Sequence, residues 1–279
     1  MCQFCVQHGE GKRWYLNARN YAFDLESDLR RRGFMVDFVG GFEKWRRGAD
    51  AGLAALRYLP KPVAGLAAGV VSRSQQKEHF GQPVPLEECA RIFELATNIT
   101  RIPCVCRGAM APGSSAESCC IVMTVHPHDE LLAECFQGYT GGPDAEGFEK
   151  LTKEQALSLL RRCEERGLCH TAWTFMTPFV AALCNCNLSS GCMAMKSQLG
   201  GVRVMWRGEG VARLDPERCS GCGCCVPACP FGALRQAGPR EVRLARTACW
   251  GCGTCRTWCA RGALALEPRR ATADVARVW

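Results

Sequence analysis

The chain has 279 residues, 47% of them hydrophobic, and a formal net charge of +8. This is enough apolar material for one large or two modest globular domains, and it excludes a disordered chain. In a short secreted chain, 22 cysteines would indicate a disulfide scaffold. The sequence begins MCQFCVQHGEGKRWYL, which lacks the apolar run of a signal peptide. We therefore expect a cytoplasmic protein whose cysteines are metal ligands in a reducing compartment.

Residues 1–80 predict helices. NARNYAFDLESDLRRRG, residues 17–33, predicts an amphipathic helix that ends at Gly33. Residues 51–71, AGLAALRYLPKPVAGLAAGVV, are interrupted by Arg57, Lys61 and two prolines, which excludes a transmembrane segment. We interpret them as a core helix, a turn and a second helix. An amphipathic segment lying at a membrane interface is the alternative.

Two more helices are predicted farther along the chain. PLEECARIFELATNITR, residues 85–101, has apolar residues along one helical face. TKEQALSLLRRCEERG, residues 152–167, opens with Thr152, and Gln155 three places later completes the spacing of a capping box. Gly167 is the expected C-cap. Each helix therefore has a definable buried face or boundary.

Both helices lead towards a C-x-C pair. In an extended segment residues i and i+2 face the same side, so each pair can present two thiolates to one inorganic centre. Pro103 favours an extended backbone before it, and Asn185 suits a turn. We predict a third centre, iron–sulfur in preference to zinc, with the following ligands: Cys104, Cys106, Cys184 and Cys186, with Cys119, Cys120 and Cys192 as alternates. The other reading is that these cysteines pack as small hydrophobes.

The remaining cysteines and histidines carry weaker signals. Cys89 and Cys163 fall on predicted helices and are expected in the core. Cys2 and Cys5 form a lone C-x2-C, which is weak evidence for a metal or redox pair. Two histidines in VHPHDE could bind metal or move protons, but a solvated turn is favoured: these are His126 and His128. Two further cysteines fit no pattern: these are Cys135 and Cys169.

Residues 206–279, which we call the tail, contain the pattern C-x2-C-x2-C-x3-C twice. It occurs first in CSGCGCCVPAC and then in CWGCGTCRTWC. A cubane cluster needs four converging thiolates, and three cysteines at steps of three can wrap three of its corners. Glycines between the ligands let the backbone approach the cluster. The flanks VARLDPERC and EVRLARTAC also repeat, which predicts two units of strand, cluster loop, helical turn and strand. Zinc ribbons are disfavoured because they take paired ligands from two separated C-x2-C knuckles.

This tail resembles the bacterial-type ferredoxin domain with two [4Fe-4S] clusters, over about residues 210–268. The resemblance implies that the last cysteine of each run ligates the cluster of the other run. The implied ligand sets are Cys219, Cys222, Cys225 and Cys259 for the first cluster and Cys249, Cys252, Cys255 and Cys229 for the second. The chain departs from the family pattern at Ala260, where proline is usual, and in an additional Cys224.

Residues 80–200 are similar to ferredoxin-linked iron–sulfur proteins of anaerobes that carry the same C-x-C pairing. They differ from the CCG-type domain of heterodisulfide reductases, because no glycine follows Cys120, so disulfide-reducing chemistry is not predicted. We predict an α+β fold with two domains. The predicted boundaries are 1–205 for a largely helical cysteine-rich domain, with subregions 1–80 and 81–205, and 206–279 for a small ferredoxin-like pseudo-two-fold dicluster domain.

These features favour an electron-transfer protein or redox subunit over a stand-alone enzyme. The alternatives are an iron–sulfur reductase acting on a small substrate at the C-x-C centre, and an iron–sulfur or zinc redox sensor. Residues 210–279 contain eleven arginines and five acids, which suits an acidic redox partner such as a ferredoxin, a flavodoxin or a reductase subunit. No nucleic-acid-binding module, dinucleotide fingerprint or phosphate-binding loop accompanies them.

Overall fold

The computed structural model describes residues 11–107, 120–126, 130–136, 148–189 and 191–279. The helices within these ranges are α1 (Phe23–Glu26), α2 (Leu29–Gly40), α3 (Phe42–Leu56), α4 (Lys61–Glu78), α5 (Leu86–Phe93), α6 (Glu130–Cys135), α7 (Lys153–Glu165) and α8 (Met193–Leu199). The strands before the tail are β1 (Gly81–Pro83), β2 (Asn98–Ile102), β3 (Cys120–Thr124), β4 (Glu149–Lys150), β5 (Cys169–Thr174) and β6 (Val180–Cys186). The fold is therefore mixed α+β, as predicted.

The six strands form one antiparallel sheet in the order β1-β5-β6-β3-β2-β4. Because successive side chains of a strand point to opposite faces, the sheet buries two separate cores. Ile121 and Met123 of β3 pack with α5 and α7, whereas Cys120 and Val122 pack with residues of α2, α4, α6 and α8. The prediction of a largely helical domain missed this sheet.

The helix predicted over residues 17–33 is wrong in detail. A 3₁₀ turn at Ala18–Tyr21 and the short α1 come first, and α2 then runs through Gly33 rather than ending there. The side chain of Asn17 accepts a hydrogen bond from Arg19 N, and that of Asp28 accepts one from Arg31 N at 2.8 Å. Such caps start new helical segments, which divides the predicted helix into three.

The other two predicted helices fared differently. The segment 85–101 is helical only to Phe93, and its last residues belong to β2, where β-branched side chains suit a strand. By contrast, α7 has the predicted capping box: Gln155 N donates to Thr152 Oγ1 at 3.2 Å, and Thr152 N donates to Gln155 Oε1 at 2.7 Å. Gly167 follows the helix with a φ of 72°, as its C-cap role requires.

Residues 51–71 form the predicted helix, turn and helix, but most of their large apolar side chains are exposed. Tyr58 is 90% exposed, Leu66 74% and Val70 61%. The interpretation as core helices is therefore met only on one side of α3 and α4, where Ala68 belongs to the core and Leu53 and Leu56 pack against it. Within the ranges described above, no helix is long and apolar enough to cross a membrane.

The tail contains four further strands, which are β7 (Gly210–Leu214), β8 (Leu234–Gly238), β9 (Glu241–Leu244) and β10 (Leu264–Pro268). β7 pairs with β10 and β8 pairs with β9, both antiparallel. Gly221 and Gly251 have φ values of 70° and 73°. A Cβ atom at these positions would collide with the backbone of Arg240 and of Gly210, so both positions require glycine.

Arg269 fixes the second cysteine run to the strands of the tail. Its side chain is fully buried and donates to the carbonyl oxygens of Gly208 at 2.8 Å and of Gly210 and Cys249 at 2.9 Å each. Burial lowers the pKa of this guanidinium to about 10. Three carbonyl groups, two of them in buried hydrogen bonds, thus depend on one charged side chain.

Candidate metal centres

The first cysteine run lies at the surface. Cys222 and the additional Cys224 are exposed, and Cys225 is buried. Desolvation raises the pKa of Cys225 to about 11, with further contributions from the neighbouring thiols, which are Cys259, Cys219 and Cys222. The fourth neighbour predicted for this set, Cys259 of the other run, is therefore close enough to act on Cys225.

The second run is buried, since Cys249, Cys252 and Cys255 are each at most 8% exposed. Desolvation raises the pKa of Cys255, and the thiols that add to this effect include Cys229 of the first run. Thiols of the two runs therefore lie close enough to influence one another.

Backbone amides point at sulfur in both runs. Ala233 N donates to Cys229 Sγ and Ala263 N donates to Cys259 Sγ, each at 3.2 Å. Ala212 N donates to Cys249 Sγ at 3.3 Å. Such hydrogen bonds stabilise a thiolate and tune the potential of a cluster bound to it. The matching bonds after Cys229 and Cys259 express the repeat of the sequence.

Six cysteines that precede residue 206 come together in what we call the six-cysteine group, and we call this part of the chain the large domain. Its members are Cys104, Cys106, Cys120, Cys184, Cys186 and Cys192. The thiol of Cys104 contacts those of Cys106, Cys120 and Cys186. Cys120 also contacts Cys184, and Cys186 contacts Cys192. Both C-x-C pairs and two of the three alternates therefore share one site, whereas Cys119 lies outside the described residues.

The two C-x-C pairs reach this site by different backbone conformations. Cys184 and Cys186 belong to β6, where alternation places both on one face. Asn185 is a strand residue and not the predicted turn residue, and its Oδ1 accepts a hydrogen bond from His170 Nδ1 at 2.6 Å. The first pair is not extended, because Cys106 belongs to a 3₁₀ turn at Val105–Arg107. Pro103 follows Ile102, the last residue of β2, so the backbone before the proline is extended, as predicted.

Crowding controls the ionisation of the six-cysteine group. Contacts with neighbouring thiols and desolvation raise the pKa of Cys106, Cys120 and Cys186. The pKa of Cys192 is lowered by a hydrogen bond from Cys186 and by the backbone N–H groups of Met195 and Ala194. Without a cation these thiols cannot all ionise together, whereas a coordinated metal deprotonates its cysteine ligands. The donor set therefore fits a thiolate-bound centre.

The spacing of the cysteines does not match a site for a single metal ion. Over the described ranges, no group of three or more His, Cys, Asp or Glu side chains is spaced to hold one metal ion. This applies to the tail cysteines and to the six-cysteine group alike.

Cys169 joins the two cysteine regions, although its sequence context carried no signal. It is fully buried on β5 and lies opposite Cys186 of β6 in the sheet register. Its thiol contacts Cys252 of the second run and, with other hydrogen bonds, lowers the pKa of Cys252 to about 6. Only the pairing of β5 with β6 brings Cys169 to this position.

Side chains around the second run anchor it to the large domain. Trp250 stacks on Phe231 with ring centroids 4.8 Å apart, and both belong to the core that contains the six-cysteine group. Thr257 Oγ1 donates to Glu164 Oε2, and Trp258 Nε1 donates to the Glu164 carbonyl oxygen, both at 2.8 Å. The buried run thus faces the large domain.

Other candidates have no such setting. Cys89 and Cys163 are buried on helices, as predicted. Cys135 ends α6, and desolvation raises its pKa to about 12. The ring of His126 stacks on Phe23 at 4.9 Å. Three candidates lie outside the described residues: these are Cys2, Cys5 and His128.

A cavity of about 500 Å³ adjoins the six-cysteine group. On its sheet side lie Cys106, Cys120, Cys184, Cys186 and Cys192. Aromatic side chains of α2 and α3 line the opposite side. A small molecule in this cavity would therefore lie against the thiols.

Comparisons with known proteins match the tail alone. The family model of 4Fe-4S binding domains matches residues 212–235, which contain the first cysteine run. This match supports a [4Fe-4S] site and an iron–sulfur electron-transfer role for this part of the chain. No curated protein and no solved structure matches the chain.

Proposed function

We propose that this chain is an electron-transfer protein or redox subunit with three iron–sulfur centres. Two lie in the tail, with the ligand sets that the ferredoxin resemblance implies, and the third is held by the six-cysteine group. When bound, such clusters accept and donate single electrons. The observation that carries the proposal is the contact of Cys169 with Cys252, because it joins the buried tail run to the strand that lies beside Cys186.

Burial suggests which end of this arrangement meets a partner. Cys222 is exposed in the first run, whereas the first three cysteines of the second run are buried against the large domain. The cysteine sites are therefore arranged from the surface to the core. We infer that the first run is the docking end and that the six-cysteine group is the inner end.

The charge of the docking end supports an acidic redox partner. Arg218 and Arg240 are exposed, and each lies beside a loop glycine of the tail: Arg218 beside Gly262 and Arg240 beside Gly221. Complementary charge accelerates encounter more than it strengthens the final complex. A ferredoxin, a flavodoxin or an acidic reductase subunit meets this requirement.

The inner centre has more candidate ligands than a cubane needs. We propose Cys104, Cys106, Cys184 and Cys186 as the ligands, with Cys120 and Cys192 as the available substitutes. Cys104 is central to this choice because it contacts three of the other thiols. Zinc bound by the same thiolates is the alternative.

The cavity favours a second candidate function, that of an iron–sulfur reductase. A relay centre needs no space for a substrate, whereas a reductase needs an open position beside its metal. The cavity offers such space directly against Cys106, Cys184 and Cys186. In this case the tail would deliver electrons to a small molecule bound there.

The decisive experiment counts iron and acid-labile sulfide per chain after anaerobic purification. We expect about twelve irons in the wild type and about eight in the Cys104→Ser, Cys186→Ser double variant, since each cubane holds four. EPR spectra of the reduced proteins should lose one cluster signal in parallel. The matched control is Cys89→Ser, because Cys89 is as deeply buried as Cys104 and Cys186 but lies on a helix outside the six-cysteine group.

The outcomes separate the alternatives. About eight irons in both proteins, with one or more zinc ions lost in the double variant, would contradict a third cluster and support the zinc alternative. A loss of iron in the Cys89→Ser control would show that general destabilisation, rather than ligand removal, causes the loss.

A further inference from the structure

The cavity beside the six-cysteine group has a lining that selects for aromatic ligands. Phe34, Phe38, Phe42 and Trp45 line its helix side, and Trp173 lines it from β5. Its volume of about 500 Å³ is within the usual range of small-molecule sites. Aromatic side chains favour planar rings because they pack against them in offset-stacked or edge-to-face arrangements.

The positive charge that Arg46 brings to the cavity lining is already compensated. Arg46 is a cationic residue of the lining, and it forms ion pairs with Glu43 at 2.6 Å and with Asp50 at 3.4 Å. Glu78 accepts a hydrogen bond from Ser74 Oγ at 2.9 Å. An anionic ligand would lose water without gaining an unpaired cation from Arg46, so an uncharged ligand is favoured over an anionic one.

His79 is the polar group that breaks the aromatic lining. Its ring stacks on Trp173 at 4.7 Å and packs against Phe38 at 4.6 Å and Phe175 at 4.7 Å. Desolvation lowers its pKa to about 4, so the ring is neutral at pH 7. Such packing fixes the position of the ring in the lining.

The tautomer of His79 follows from a single hydrogen bond. Nδ1 lies 2.8 Å from the carbonyl oxygen of Thr174, and a carbonyl oxygen can only accept, so Nδ1 carries the hydrogen. In a neutral ring Nε2 is then unprotonated and can only accept. Among the described residues Nε2 has no hydrogen-bond partner. A ligand that satisfies it must bring a donor.

We propose that the cavity binds an uncharged planar aromatic molecule with a hydroxyl group, of the phenol or hydroquinone class, and that the hydroxyl donates to Nε2 of His79. The aromatic walls hold the ring, and the hydroxyl satisfies Nε2 of His79. This molecule is the substrate class that we propose for the reductase alternative. Its reduction rests on that alternative, whereas its binding needs only the cavity and His79.

Two probes test the hydroxyl requirement on the purified holoprotein. 1-Naphthol and 1-methoxynaphthalene share one ring system, but only the first has a donor. Isothermal titration calorimetry should show that 1-naphthol binds about three- to tenfold more tightly, as one hydrogen bond to a neutral acceptor allows. Equal affinities of the two probes would overturn the proposal.

The variant His79→Phe tests the acceptor. Phenylalanine keeps the ring contacts with Trp173 and Phe38 but has no nitrogen. The affinity for 1-naphthol should fall to that for 1-methoxynaphthalene, and the affinity for 1-methoxynaphthalene should not change. A preference for 1-naphthol that survives in this variant would show that His79 is not the acceptor.

A second pair of variants tests the cavity itself. Gly52 of α3 lines the cavity, and a Cβ atom there would meet nothing within 4 Å, so Gly52→Phe fills space without displacing backbone. It should abolish the binding of both probes. Gly65→Phe is the matched control, because Gly65 is equally open but lies outside the lining, and it should bind both probes normally.

These readouts separate the proposal from the three-cluster function. If neither probe binds the wild type, or if Gly52→Phe binds both, the proposal is wrong whatever the iron content is. If instead the iron count stays at about eight in the wild type while the hydroxyl preference holds, the binding site stands and the third cluster does not.

Discussion

The tail and the six-cysteine group assemble thiols by opposite routes. In the tail, three of the four proposed ligands of each cluster come from one short loop, and glycines with positive φ shape that loop. In the large domain, the cysteines come from β3, β6, a 3₁₀ turn and two connecting segments, and they meet only because the strands pair in one register. The difference teaches that spacing defines a site when its ligands are local, whereas topology defines it when they are not.

The two regions also differ in exposure. The first tail run has two exposed cysteines, whereas no member of the six-cysteine group is exposed: four are buried, and Cys106 and Cys184 are half-buried. The second tail run lies between them and is buried. Three changes test this comparison, beginning with the one that should have the largest effect.

Gly251→Ala should disrupt the loop of the second cysteine run. The φ of 73° is strained for alanine, and the added Cβ would collide with the carbonyl oxygen of Gly210. We expect a loss of about 3 kcal/mol or more in unfolding free energy and of about four irons per chain. Chemical denaturation and iron analysis measure both.

Gly232→Ala is the control for that change. Gly232 has a similar φ of 67°, but a Cβ atom there meets nothing within 4 Å. Only the conformational strain applies, so we expect a cost of about 1 kcal/mol and a normal iron content. Equal effects of the two substitutions would mean that close backbone approach does not define the loop.

Arg218→Glu with Arg240→Glu should weaken docking at the exposed end. With an acidic ferredoxin as the partner, we expect an association rate about tenfold lower at low salt and a smaller difference at high salt, because salt screens exposed charges. Stopped-flow kinetics measures the rate. The matched control is Arg73→Glu with Lys77→Glu on α4, which changes net charge equally. If the control slows association as much, net charge rather than the tail surface is responsible.

Cys169→Ala should alter the junction between the two regions without removing a proposed ligand. It removes the hydrogen bond from Cys169 to the sulfur of Cys252. Because such bonds stabilise the more negative reduced state, we expect a lower reduction potential for one tail cluster and an unchanged iron content. A redox titration followed by EPR measures the shift, and Cys163→Ala, in a buried helix, serves as the control. Unchanged potentials would show that the hydrogen bond from Cys169 to Cys252 does not tune a tail cluster.

Several predictions from the sequence held because they depend on neighbouring residues. Thr152 and Gln155 form a capping box three residues apart, and Gly167 ends the same helix with the positive φ of a C-cap. The two runs stand between strands at the places where the repeated flanks predicted them. In each case a few covalently linked residues supply the whole physical cause.

The sequence by itself therefore determined the cysteine runs, the caps and the family resemblance of the tail. Only the tertiary structure decided the six-stranded sheet, the exposure of the α3–α4 hairpin, the position of Cys169 and the cavity at His79. Strand pairing joins residues far apart in the chain, and a shift of one residue would turn Cys184 and Cys186 to the opposite face. The contacts that specify that register are distributed over β5, β6 and β3, so no local sequence pattern could predict them.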